Sequence, residues 1–211
     1  MGQKEEYWSK YARTYNSDQE YVIGRRILQE ITERIYEEDE LGDVIEFGCG
    51  VGYFTRAIAK NARQVIATDL SDEMLKQARI HLRGFQNITI QKANSENTHF
   101  PSARFDTVFI ANLIHVVESP IKVLQESHQI LKDKGLLLVV SFTSYGMSWF
   151  ERMKLYMRYF KTWGLPPRHG HNRLSPDQLV SFVEEVDFRT QEVGLLGDTT
   201  KAVYLRGRKQ L

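Results

Sequence analysis

The sequence predicts an α/β fold: a doubly wound sheet of seven strands, five parallel followed by an antiparallel C-terminal hairpin, with helices on both faces. Three observations predict it. First, short apolar or β-branched runs at Val44–Phe47, Gln64–Thr68, Ile88–Gln91, Thr107–Ala111 and Leu136–Phe142 alternate with longer segments of helical spacing, the pattern of parallel strands joined by crossover helices. Second, the helix starts are chemically marked. Ser71 is followed by Asp72 and Glu73, Ser119 by Pro120, and Ser175-Pro176-Asp177-Gln178 reads as a cap, a first-position proline and a capping-box glutamine. Third, the last two runs, about Phe188–Leu196 and Thr200–Arg208, are joined by Gly197-Asp198, a short polar link that suits an antiparallel hairpin.

The chain's 211 residues, 42% hydrophobic and 26% charged, suit one folded domain spanning 1–211. A formal charge of +1 gives no global attraction to nucleic acid. One cysteine, Cys49, excludes an internal disulfide. The first ten residues lack the apolar core of a signal peptide and no apolar run is long enough to span a bilayer, so a cytoplasmic location is expected. Scattered histidines and a lone cysteine give no metal-ligand spacing, and no metal is expected. Two regions stand outside the alternation, an N-terminal helical cap at 1–38 and an inserted segment at 143–173. Both are placed to cover a site, because ligands of open α/β sheets bind outside the carboxyl ends of the strands.

The stretch Val44-Ile45-Glu46-Phe47-Gly48-Cys49-Gly50-Val51-Gly52 carries most information. A buried strand enters three glycines at alternate positions and then a helix beginning near Tyr53. Glycine lets a ligand approach the backbone, and the helix start offers free N–H groups. Dinucleotide sites favour G-x-G-x-x-G. Here the order is G-x-G-x-G, followed by the bulky Tyr53 and Phe54. Asp69 ends the second strand about 20 residues beyond the loop, where an acid can accept both ribose hydroxyls or serve only as a helix-cap carboxylate.

This combination resembles motif I and its sequel in the class I methyltransferases that use S-adenosyl-L-methionine (SAM), a Rossmann-like family. The resemblance runs from about Tyr7 to Arg208 and is nearest the small-molecule branch that includes the ubiquinone and menaquinone methyltransferases. It implies SAM as cofactor, S-adenosyl-L-homocysteine as product, and a small, partly apolar acceptor. By resemblance, Glu46, Gly48, Cys49, Gly50 and Gly52 form the cofactor loop, Asp69 binds the ribose and Leu70 packs on adenine. Asn94 stands where the family commonly has an adenine-binding Asp, with Ser95 supplying a backbone N–H. Asn94 also reads as an ordinary turn residue. Asn112, at the end of the fourth strand, lies by the methionine end of the cofactor. Leu131-Lys132-Asp133-Lys134-Gly135 matches a turn that usually reads Leu-Lys-Pro-Gly-Gly, here without the proline or the first glycine.

Methyl transfer is an in-line displacement, so alignment and exclusion of water dominate. Aromatic faces can hold a sulfonium. Tyr15 is expected on the cofactor side; the alternative is that Tyr7, Trp8, Tyr11 and Tyr15 form a stripe packed on the core. A general base is needed only if the acceptor carries a proton. His115, after the fourth strand, is the candidate, with His169 and His171 in the insert behind it; the alternative is a packed pocket wall. Within the insert, Ser148 and Glu151 form a capping box. Trp149, Met153, Tyr156, Phe160 and Trp163 recur at helical spacing, with Lys154, Arg158 and Lys161 opposite. That helix reads as a core helix, as a lid over the transfer site, or as a peripheral membrane contact through 149–163; the lid is the expectation. The rivals to methyl transfer are a non-catalytic SAM-binding protein, a nicotinamide-dependent oxidoreductase and an aminopropyltransferase.

Overall fold

The structure is a computed structural model, and it describes residues 3–165 and 173–210. Three helices open the chain: α1 (Gln3–Ser9), α2 (Tyr15–Val22) and α3 (Arg25–Tyr36). The alternating part follows as β1 (Gly42–Phe47), α4 (Thr55–Asn61), β2 (Ala62–Asp69), α5 (Asp72–His81), β3 (Ile88–Lys92), β4 (Phe105–Ala111), α6 (Pro120–Ile130) and β5 (Leu131–Thr143). Then come α7 (Trp149–Trp163), α8 (Pro176–Glu184), β6 (Phe188–Leu196) and β7 (Lys201–Lys209). The sheet has seven strands in the order β3-β2-β1-β4-β5-β7-β6. The first five are parallel, and β7 runs antiparallel to both its neighbours.

The hairpin is present, but β7 does not lie at the sheet edge. It is inserted between β5 and β6, and composition explains the order. Ala202, Val203, Tyr204 and Leu205 are all buried, a continuous apolar run suited to a central strand. β6 carries Arg189, Gln191 and Glu192, which protect an edge.

Alternation along the strands divides the core in two. Val44, Phe109, Leu138 and Tyr204 face one side, where α3 and α4 pack; Ile45, Val108, Val139 and Leu205 face the other, under α6 and α8. Glu46 falls on the first side, in the middle of an apolar layer. All four marked helix starts are capped as read: Ser71, Ser119, Ser148 and Ser175 accept from the backbone N–H of Met74, Lys122, Glu151 and Gln178. The capping boxes at Ser148 and Ser175 are both closed. No helix among the described residues is long and apolar enough to cross a membrane.

Between α6 and the paired part of β5 the chain bulges, stepping from the pair Phe105–Leu131 to Thr107–Leu136. Lys134 sits in this bulge with φ of +60°, the left-handed region that costs an L-residue about 1–2 kcal/mol. This is the position of the missing glycine. Lys134→Gly should therefore stabilise the protein by about 0.5–1 kcal/mol, the relief exceeding the extra entropy of an unfolded glycine. Urea unfolding reads the difference; a lower midpoint would show that the left-handed cost is already offset by Lys134's contacts.

Candidate active site

The order β3-β2-β1-β4 reverses the chain's direction of growth between β1 and β4, and a crevice opens beyond the carboxyl ends of those strands. A cavity of about 400 Å³ fills this crevice, a size suited to a small-molecule ligand. Its floor is the loop after β1, its sides are the ends of β2, β4 and β5, and α2 and α7 form its roof.

The loop is held open by its glycines. Gly50 has φ of +54°, and a Cβ there would stand 4.0 Å from the Tyr15 ring, on the cavity side. Gly52 has φ of +86°, and a Cβ there would press within 2.7 Å of Leu82. Gly52 thus lets the loop seat against the end of α5. Asp69 ties the loop to β2. Its Oδ2 accepts from the Gly50 N–H at 2.9 Å, and its Oδ1 accepts from the Ser71 N–H at 2.9 Å. A carboxylate oxygen can accept more than one bond, so fixing the loop and holding a ribose are compatible tasks.

Glu46 is 1% exposed and accepts a 2.6 Å bond from the Thr55 hydroxyl. Burial pushes its carboxyl up to about 8; the Thr55 bond pulls the other way, and repulsion from Asp69 adds to the rise. Cys49 is buried, and burial holds its thiol well above the usual range, so it is not a reactive thiolate. Burial, then the charge of Asp69, raises the Tyr15 phenol, which stays a neutral hydroxyl. Tyr15 stacks on Trp163, centroids 5.9 Å apart and planes 19° apart, and meets Trp8 edge-on.

At the end of β4, Asn112 has φ of +55° and its Oδ1 accepts from the Phe142 N–H at 3.0 Å. Left-handed, non-glycine backbone persists only where its surroundings enforce it, and it often marks a ligand site. His115 follows in the same loop, its Nδ1 2.9 Å from the Ser141 hydroxyl, which fixes the ring.

The cavity wall therefore brings together Tyr15, Glu46, Gly48, Cys49, Gly50, Asp69, Asn112 and His115. Gly52, Leu70, Asn94 and Ser95 are not part of that wall. Leu70 is 41% exposed, and Asn94 uses its Oδ1 to accept from the Glu96 N–H at 3.0 Å, an Asx turn. His169 and His171 lie outside the described residues. Sequence reasoning missed Gln19, which is 3% exposed and lines the cavity with Oε1 unpartnered. Its signal was there: Tyr15, Gln19 and Ile23 follow at four-residue spacing on one helical face. Thr143, the last residue of β5, and Ser144 just after it line the crevice and were also missed.

The helix of the insert departs from the sequence reading. Of the five residues placed on its apolar face, Trp163 alone is buried; Trp149, Met153, Tyr156 and Phe160 are exposed. The inward face is instead Leu155, Tyr159 and Trp163. A wide apolar arc admits two rotations of the helix. The one found is fixed at the C-terminal end, where Tyr7 and Tyr11 each donate to the Trp163 carbonyl at 2.9 Å. Trp163 also meets Trp8, Tyr15 and Tyr159 ring to ring.

The electrostatics of the cavity select among ligands. The described wall contains two acids, Glu46 and Asp69, and no Lys or Arg. A pyrophosphate would find no cation there. A ligand carrying a sulfonium and an ammonium meets carboxylates and aromatic rings. Two buried polar atoms in the wall, Gln19 Oε1 and Trp163 Nε1, have no partner within the protein, as expected where a polar ligand completes them. The residues present fit SAM.

Comparison with known proteins agrees. Residues 45–139 match the family model described as a methyltransferase domain. A demethylmenaquinone methyltransferase of Tropheryma whipplei (strain Twist) is 31% identical over 117 residues, covering 56% of this chain and 48% of that protein. A malonyl-acyl-carrier-protein O-methyltransferase of Halalkalibacterium halodurans is 28% identical over 146 residues, covering 65% of this chain and 54% of that protein. The chain spans about half the length of these curated relatives. Among solved structures, a SAM-dependent methyltransferase from Aquifex aeolicus superposes with a TM-score of 0.69 at 17% identity, covering 94% of this chain and 97% of that one; this likeness concerns the fold. Residues 45–139 thus carry a methyltransferase-domain match, and the sheet order around them is the Rossmann-like one that the SAM-dependent methyltransferase structures share.

Proposed function

We propose that this chain transfers a methyl group from SAM to a small, partly apolar acceptor. The observation that carries the reading is the cavity's two-ended chemistry: carboxylates and a glycine loop at the floor, aromatic and aliphatic side chains at the roof. When bound, SAM supplies an electrophilic methyl on a sulfonium. The residues of the chain do the rest. Asp69 and the loop fix the nucleoside end, Tyr15 and Trp163 present ring faces, and the roof excludes water and aligns the acceptor. His115, oriented by Ser141, accepts a proton where the acceptor carries one. The test is calorimetry with S-adenosyl-L-homocysteine, followed by transfer of labelled methyl from SAM to fractionated small molecules. Binding without transfer to any fraction would favour a non-catalytic SAM-binding protein, and absence of binding at millimolar ligand would defeat both readings.

The segment 143–173 acts, on this proposal, as a lid with the cap at 1–38 as its anchor. α7 is pinned at Trp163 and leaves its N-terminal half exposed. Amide exchange should be fast across 150–157 in the ligand-free protein and slow on ligand binding, with 159–163 protected throughout. Replacing Tyr7 and Tyr11 together by Phe removes two bonds of about 1 kcal/mol each and should speed exchange at 160–164 by roughly tenfold or more. Uniform protection of α7 without ligand would rule out the lid.

A further inference from the structure

Among the described residues, the outer face of α7 is the largest apolar feature left open to water. Trp149 is 58% exposed, Phe150 73%, Met153 41%, Met157 65% and Phe160 61%. At about 100° per residue these five fall within roughly a third of the helix circumference, a continuous strip beside the inward face of Leu155, Tyr159 and Trp163. Monomeric proteins seldom leave such a strip in water unless it meets something. Lys154, Arg158 and Lys161 border the strip on the side away from the core. α7 holds four basic residues, Arg152 included, against one acid, and that acid, Glu151, is engaged in the capping box. The whole chain has a net charge of only +1, so this helix concentrates positive charge that the rest of the molecule offsets. Phe160 belongs both to the strip and to the cavity wall, as does the neighbouring Tyr156, which is 45% exposed. Leu165, 77% exposed, extends the same rim.

We propose that α7 lies along an anionic lipid surface. The aromatic and methionine side chains sink between the headgroups, and Lys154, Arg158 and Lys161 pair with lipid phosphates. An exposed aromatic strip with a cationic border complements a negatively charged apolar interface, and it leaves the helix without the charges of both signs that a protein groove commonly pairs. Because the strip adjoins the cavity mouth, docking brings that mouth to the lipid. An amphiphilic, membrane-resident acceptor then enters between Tyr156 and Phe160 without crossing water. This last step rests on the methyl-transfer reading; the docking itself does not.

The test is co-sedimentation of the full chain with vesicles of phosphatidylcholine alone and of phosphatidylcholine with phosphatidylglycerol, with tryptophan emission recorded alongside. The expected result is binding to the anionic vesicles, with a blue shift from Trp149 and loss of binding at high salt. The pair Phe150→Glu and Met157→Glu should lower vesicle binding at least tenfold while leaving the circular dichroism spectrum and melting temperature of the chain unchanged, since both side chains are exposed. Those unchanged readings show that the variant is folded. Lys154, Arg158 and Lys161 replaced together by Ala should remove the preference for anionic vesicles. No sedimentation with anionic vesicles overturns the proposal, as does equal binding by the Glu pair. So does a dimer in sedimentation velocity that the Glu pair dissolves, which would mean that a second copy covers this face. Vesicle binding with no S-adenosyl-L-homocysteine binding would instead defeat the methyl-transfer reading and leave the docking surface standing.

Discussion

Asp69→Ala should weaken S-adenosyl-L-homocysteine binding by at least tenfold, and on the order of a hundredfold if both ribose hydroxyls donate to the carboxylate. Charge-assisted hydrogen bonds are worth about 1.5–3 kcal/mol each, and two are at stake. The structure adds a second loss. Asp69 also accepts from the N–H groups of Gly50 and Ser71, so its removal loosens the glycine loop from the end of β2. The melting temperature should fall as well, because two partly buried donors lose their acceptor. Calorimetry well below the melting transition, with circular dichroism to show that the variant is folded, separates the effects. Asp69→Asn cannot accept on both sides of its amide. It should bind poorly too, and a normal affinity in either variant would confine Asp69 to holding the loop.

The two roles of Asp69 illustrate what the sequence makes legible. An acid at the end of a strand and ahead of a helix can be read as a ligand group or as a local hydrogen-bond acceptor, and the structure gives it the local bonds in a position that permits the other. Local chemistry was readable throughout. Ser71, Ser119, Ser148 and Ser175 all cap the helices assigned to them, because a cap is decided within four residues. Pairing across the sheet was not. Nothing within β6 or β7 alone says that β7 enters between β5 and β6; only the contrast between the buried Ala202–Leu205 run and the polar Arg189–Glu192 stretch hints at it. The rotation of α7 was unreadable for a related reason. Its apolar arc is wide enough to pack either side inward, and the choice was made by Tyr7 and Tyr11, far earlier in the chain, gripping the Trp163 carbonyl. Gln19 could have been found from its spacing to Tyr15, whereas its lack of a partner required the packed structure.

Glu46→Gln should stabilise the ligand-free protein, and the gain should depend on pH. The Glu46 carboxyl titrates near 8 in the fold, against an ordinary value of 4.5, chiefly because it is buried. Between those values the folded state holds a proton that the unfolded chain has released. The unfolded state then binds fewer protons, so stability falls as pH rises from about 4.5 through 8 and the cost levels off above. At pH 7 the cost is on the order of 3 kcal/mol, and at pH 5 it is below about 1 kcal/mol. The amide of the Glu46→Gln variant would not titrate, and its oxygen can still accept from Thr55. Urea unfolding should therefore show the variant ahead by a few kcal/mol at pH 7–8 and nearly level with the parent at pH 5. The same carboxyl should couple to the cofactor. A cation placed against it favours the ionised form, so SAM or S-adenosyl-L-homocysteine, each with an ammonium, should bind with net release of a proton near pH 7. Affinity should then rise with pH up to about 8. Titrations in buffers of different ionisation enthalpy count that proton, and Glu46→Gln should bind more weakly and release none. Proton release undiminished in Glu46→Gln would assign the linkage to another group, and a stability difference independent of pH would mean that Glu46 is already ionised in the empty cavity.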